Sequence, residues 1–178
     1  LSVNSVLIII NISLFILFTI LLSTKIISID SVAIKPENIF QGKYIWTFLT
    51  SMFMHGGFWH LFVNMFSLIF IGSLVEKILG AKRYLWFFLF SGIFASLFFV
   101  GLSFFSLDDF AAYAVGASGA IFGLVGLLVL LTPNLPVYVM FIPIPIKKNK
   151  IGVYLQKTNI LKIIFRKIGQ IQHINLKI

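Results

Sequence analysis

Four apolar runs that read as membrane spans, with a shorter one between the first two, organise this chain. The first extends from Val6 to about Leu22 without a charge, which is long enough for one tilted membrane span. It is too long for a removed signal peptide and lacks the small-residue cleavage pattern. From Lys25 to Lys43 the chain turns polar, with Asp30, Lys35, Pro36 and Glu37, and reads as a loop outside the membrane. Tyr44 to Met54 is apolar again but too short to cross. It is expected at the interface, where Tyr44, Trp46 and Phe53 suit the headgroup region.

Gly56-Gly57 breaks the backbone before a second span, about Trp59 to Leu79. Ala81 to Tyr84 reads as a short basic turn, and a third span follows from about Leu85 to Phe105. After a loop with Asp108 and Asp109, the fourth runs from about Ser118 to Leu131, where Pro133 and Pro136 stop it. That run is short for a crossing and suffices only if it starts below the surface in a water-filled cavity.

Composition agrees with this pattern. Of 178 residues 60% are hydrophobic and 11% charged, and the mean hydropathy is +1.06, far outside the range of a soluble domain. These values predict an all-α polytopic membrane protein. The chain holds no cysteine and three histidines without a carboxylate cluster, so neither a disulfide nor a zinc site is expected, and no cofactor is called for. The net charge of +9 is carried by loops and by the C-terminal tail rather than by an aromatic-interleaved groove. It argues for membrane orientation and against nucleic-acid binding.

The same charge sets the expected topology. Lys77, Lys82 and Arg83 follow the second span and Lys147, Lys148 and Lys150 follow the fourth, whereas Asp108 and Asp109 follow the third. By the positive-inside rule the second and fourth spans end in the cytoplasm and begin on the outer side. His60, Asn64 and Ser118 are thereby brought to one depth by an argument that uses none of them.

Those three residues carry the candidate chemistry. His60 and Asn64, four apart, share a helix face near the start of the second span, and Ser67 extends the stripe. Polar groups on a membrane helix are costly without partners, so the stripe is expected to point into the bundle. The same residues would equally serve to hydrogen-bond a neighbouring helix. Ser118 lies between Gly116 and Gly119 at the start of the fourth span, where first-turn N–H groups lack intrahelical partners and could face an oxyanion. Gly119, Gly123 and Gly126 fall on one face open to close helix approach, and Ser118 could be one more small residue of that face.

Taken together, these two stretches resemble the rhomboid family of intramembrane serine proteases. The resemblance is carried by Trp59-His60-Leu61, Asn64-Met65, Leu68, Gly72, Glu76 and Gly80, by Gly116-Ala117-Ser118-Gly119 with Gly123, and by His55. It covers roughly Tyr44 to Lys147. It implies a rhomboid-like helical bundle, of whose six core helices four transmembrane helices are clear here. It implies further that Ser118 is the nucleophile, that its N–H with His60 and Asn64 forms the oxyanion hole, and that Phe122 packs on the catalytic histidine. The expected partners are transmembrane protein substrates and the lipid bilayer, and the expected location is the cell membrane.

The general base is where the pattern departs. In the family it lies on a sixth span, in an Ala-His-x-x-Gly setting whose small residues pack against the glycine face of the fourth span. No histidine here has that setting. Residues 1–146 read as the rhomboid-like membrane domain. Residues 147–178 carry eight basic residues and no acidic one, and read as a basic tail without family resemblance. His173 belongs to that tail, and Asn159 to Ile174 would suit a basic amphipathic helix on the cytoplasmic leaflet or, equally, unrelated sequence read through a disrupted gene.

Three functions compete. One is an intramembrane endopeptidase whose base is absent from the sequence as written, so that this chain by itself is expected not to cleave. Another is a catalytically inactive rhomboid-like protein that binds membrane helices. The third, a small transporter or scaffold, lacks paired repeats and buried charge along a path.

Overall fold

A computed structural model describes residues 1–105 and 110–132, with the strands at 138–139 and 142–143. The tail with His173 lies outside the described residues. Compact units span Leu1–Val125 and Gly126–Ile178. The described part of the second holds the end of the last helix and an antiparallel pair, Tyr138–Val139 with Ile142–Pro143, registered Tyr138 to Pro143.

The first unit is built from helices. α1, Val3–Ser23, starts at a Ser2 cap whose hydroxyl accepts the Ser5 N–H. The loop that follows contains a 3-10 turn at Ile29–Ser31 and two short helices, α2 at Pro36–Phe40 and α3 at Thr47–Thr50. Pro36 opens α2 because the first helical position needs no N–H. α4, Phe58–Leu79, contains a widened π turn at Leu68–Gly72; α5 runs Ala81–Leu102 and tightens into a 3-10 turn ending at Phe105. α6 is Ser118–Leu131.

Three of these helices, α1, α4 and α5 with its 3-10 end, are long and apolar enough to cross a membrane, while α6 is apolar but has only 14 residues. The fold is therefore a helical polytopic membrane bundle. Two boundaries differ from the sequence expectation. The basic stretch Ala81 to Tyr84 is the first turn of α5, not a connecting turn, because Gly80 alone makes the reversal. Its φ of 81° lies in the left-handed region that glycine adopts without strain. At the N-terminus α1 starts before Val6, which brings the buried Asn4 and Asn11 into the bundle.

Small residues set how closely the helices pack. A Cβ placed on Gly119 would lie 2.6 Å from the Ala95 Cβ, and one on Gly123 would lie 2.5 Å from Ser91, so α5 meets the glycine face of α6 almost backbone to backbone. Gly126 meets nothing within 4 Å among the described residues. Outside the helices the loop forms its own core of Val32, Ala33 and Met54, against which Phe18 and Leu22 of α1, Ile27 and Val115 pack.

Candidate active site

The site is assembled where the first turn of α4 meets the loop that leads into α6. Gly116, two residues before Ser118, has φ 107°, and its N–H donates to the Ser51 carbonyl at 2.8 Å. A side chain would be strained there, and it would also collide. A Cβ on Gly116 would stand 2.7 Å from both Nε2 and Cε1 of His60 and 3.8 Å from the Asn64 Nδ2. Glycine is thus what lets the loop pass against the imidazole.

His60 is half-buried, and its Nδ1 accepts the Gly56 N–H at 3.4 Å. In the neutral ring this places the proton on Nε2, the nitrogen that faces Gly116. Asn64 is buried, and its Nδ2 donates to the His60 carbonyl one turn back at 2.7 Å. One amide hydrogen is spent within the helix and the second remains for a group beside Gly116. Ser118, half-buried, opens α6, and the helical ladder starts with the Ile121 N–H on the Ala117 carbonyl at 3.0 Å. Amides of that first turn are the ones a helix leaves unpaired.

The sequence-predicted residues do not all share this environment. His60, Asn64 and Gly116 are brought together. Gly119 turns instead to Ala95 of α5, and Phe122, one turn beyond Ser118, is 70% exposed. Ser67, expected to continue the polar stripe inward, returns its hydroxyl to the Val63 carbonyl of its own helix at 2.8 Å.

Two groups were not assigned a part by sequence reasoning. One is the Ser51 carbonyl, a backbone atom that no side-chain pattern announces. The other is His55, only 3% exposed, whose ring stands edge-on to His60 with centroids 5.2 Å apart. Among the described residues neither of its nitrogens has a hydrogen-bond partner, although the Phe53 carbonyl is close enough to favour the cation weakly. Burial, reinforced by the neighbouring His60, pulls its pKa down to about 4 and keeps it neutral.

The family model for the rhomboid domain matches residues 42–174. The chain belongs to the rhomboid family. The matched span includes α3 to α6 and runs past Lys147 into the basic tail. Among rhomboid relatives, the chain is 39% identical over 94 residues to RHOMBOID-like protein 1 of Arabidopsis thaliana, covering 53% of this chain and 23% of that protein. It is 39% identical over 86 residues to the protein named Inactive RHOMBOID-like protein 8 of the same plant, covering 48% and 23%. It is 33% identical over 95 residues to Rhomboid protein 1, mitochondrial, of Saccharomyces cerevisiae, covering 53% and 28%. These rhomboid alignments thus span about a quarter of the curated relatives' length.

Proposed function

We propose that this rhomboid is an intramembrane serine endopeptidase acting on transmembrane helices of other membrane proteins. The reading rests on one observation: His60 Nε2 and the Asn64 amide converge on the loop that ends in Ser118. The Ser118 Oγ attacks the carbonyl carbon of a peptide bond as its proton passes to a base. The resulting oxyanion is held by the His60 Nε2–H, an Asn64 amide hydrogen and the Ser118 N–H. The C–N bond then breaks, the leaving amine takes the proton, and water hydrolyses the acyl ester on Ser118.

His60 is given to the oxyanion side, His55 belongs to the loop before it, and His173 lies among the cations of the tail sequence, so we assign the base to none of the three. Activity is therefore expected from a form of the chain extended by fifth and sixth spans that carry the Ala-His-x-x-Gly element. Both forms are incubated with a fluorophosphonate probe and a transmembrane substrate. Labelling and cleavage confined to the extended form, and lost with Ser118→Ala, are the expected result. Cleavage by the extended form with Ser118→Ala would remove Ser118 from the mechanism.

The second reading, a non-catalytic rhomboid that binds membrane helices, is favoured by the relative whose name calls it inactive. It predicts no probe labelling in either form, with substrate helices still captured. For location we favour the cell membrane with the site open to the outer side; the mitochondrial names of two relatives make that organelle the alternative. Fractionation of the full-length protein separates the two.

A further inference from the structure

The loop that delivers Ser118 is held by the segment between α1 and α4. Both backbone groups of Ala114 are spent on Ile34, as an isolated antiparallel bridge: Ile34 N–H to the Ala114 carbonyl at 3.1 Å, and Ala114 N–H to the Ile34 carbonyl at 2.9 Å. Ile34 is fully buried, and its neighbours Val32 and Ala33 belong to the loop core that Val115 joins. The buried side of this strap is therefore fixed by packing. Its outer side is fixed by polar groups. The Tyr113 hydroxyl donates to Asp30 Oδ1 at 2.9 Å, the same oxygen accepts the Asn38 Nδ2 at 2.7 Å, and the Lys35 ammonium stands 5.6 Å from the Tyr113 ring centroid.

A tyrosine 42% exposed could give its hydroxyl to water at no cost, so solvation does not explain a bond to a carboxylate that also holds a second element. What the bond does is geometric. It ties the residue before Ala114 to a residue two positions before the loop core, so that the bridge cannot slide or open from its exposed end. The next backbone anchor on the same loop is Gly116 on Ser51, and Ser118 follows two residues later. We propose that Asp30 and Tyr113 are positioning residues that clamp the Ser118 loop onto the extramembrane strap, an inference that rests on reading Ser118 as the nucleophile. Neither touches substrate. They act through Ala114 and Gly116, by keeping the serine within the fraction of an ångström that attack on a carbonyl requires.

Amide hydrogen exchange on the chain as it stands tests the clamp, and kinetics on the extended active form test its purpose. Asp30→Ala and Tyr113→Phe should each speed exchange at Ala114 and Gly116 and lower kcat by about threefold to tenfold, with KM unchanged, as loss of one hydrogen bond would. The double variant should be no worse than Asp30→Ala alone, because that change already removes the Tyr113 bond along with the one from Asn38. Asp30→Asn, which keeps an acceptor oxygen, should restore most of the rate. Unchanged exchange at Ala114 and Gly116, or additive losses, would overturn the clamp. Faster exchange with full kcat would overturn the positioning role. Hydrolysis that survives Ser118→Ala would defeat the nucleophile reading alone, since exchange still reports on the clamp.

Discussion

The two ends of α4 carry polar clusters of opposite character. At its far end the Glu76 carboxylate accepts the Val3 and Asn4 N–H groups that open α1, at 2.8 and 2.9 Å. The Asn4 side chain, 1% exposed, donates to the Leu68 carbonyl and Ser73 hydroxyl and accepts from the buried Tyr84 hydroxyl at 2.7 Å. Each polar atom of Asn4 is used, and Gly72 leaves no room for anything more. At the near end His60 holds one long bond, Asn64 has an amide hydrogen to spare, and His55 has two buried nitrogens without partners among the described residues. A cluster built to hold helices together closes its hydrogen-bond account. On the proposed function the near cluster leaves donors unspent to meet a developing charge, at a cost in stability.

This contrast breaks most sharply by exchanging the two roles. His60→Ala and Asn64→Ala should each lower kcat/KM of the extended form by about 100- to 1,000-fold, as removal of one oxyanion donor does. Melting midpoints should stay close to that of the parent, because the side-chain bonds lost among the described residues are a long one and one within a helix turn. A loss under about tenfold at both positions would return these residues to helix packing.

At the other end the signs reverse. Asn4→Ala removes three hydrogen bonds and should cost about 1–3 kcal/mol of stability, with kcat per folded molecule unchanged. Glu76→Ala should act likewise by leaving the first amides of α1 unserved. Denaturant titration in detergent, paired with turnover measured on the folded fraction, separates the ends; an Asn4 variant that is stable but inactive would contradict the comparison.

How much of this was legible depended on whether the signal is local. The spans were, because apolar runs are contiguous, and α6 begins and ends where its flanking glycine and proline residues suggest. The shared stripe of His60 and Asn64 was legible from a spacing of four. Asn4 was not, since its partners lie 64 to 80 residues away and a hydropathy reading only registers it as the polar edge of a span. Ser51 was invisible because its contribution is a carbonyl. The Asp30–Tyr113 pair joins two segments that only the fold brings together. The three glycines of α6 were read as one face, and only packing distinguishes Gly119 and Gly123, which meet α5, from Gly126.

That distinction gives a smaller effect. Gly123→Ala would put a methyl group onto Ser91 and Gly119→Ala one onto Ala95, each expected to cost about 1–3 kcal/mol as overpacking does. Gly126→Ala, with open space around it among the described residues, should be neutral or stabilise by up to about 1 kcal/mol through helix propensity. Thermal midpoints of the three single variants rank them, and a Gly126 variant as damaged as Gly123→Ala would show that a further helix covers that position.

An effect confined to acid pH is expected from His55 and tests whether the near end carries a burden the far end lacks. Its folded pKa, about 4, lies below the ordinary value of 6.5 because burial penalises the cation. Between those two values the unfolded chain binds more protons at this residue than the folded one, so stability rises with pH across that window. Read downward, the protein should lose stability as pH falls from about 6.5 to about 4, and this contribution should level off below, where both states are protonated. Midpoints measured in detergent from pH 7 to 4 should therefore fall less steeply for His55→Asn, which cannot titrate, than for the parent. Parallel slopes would mean that the buried imidazole reaches a proton acceptor when charged, and the near end of α4 would then be as well satisfied as the far one.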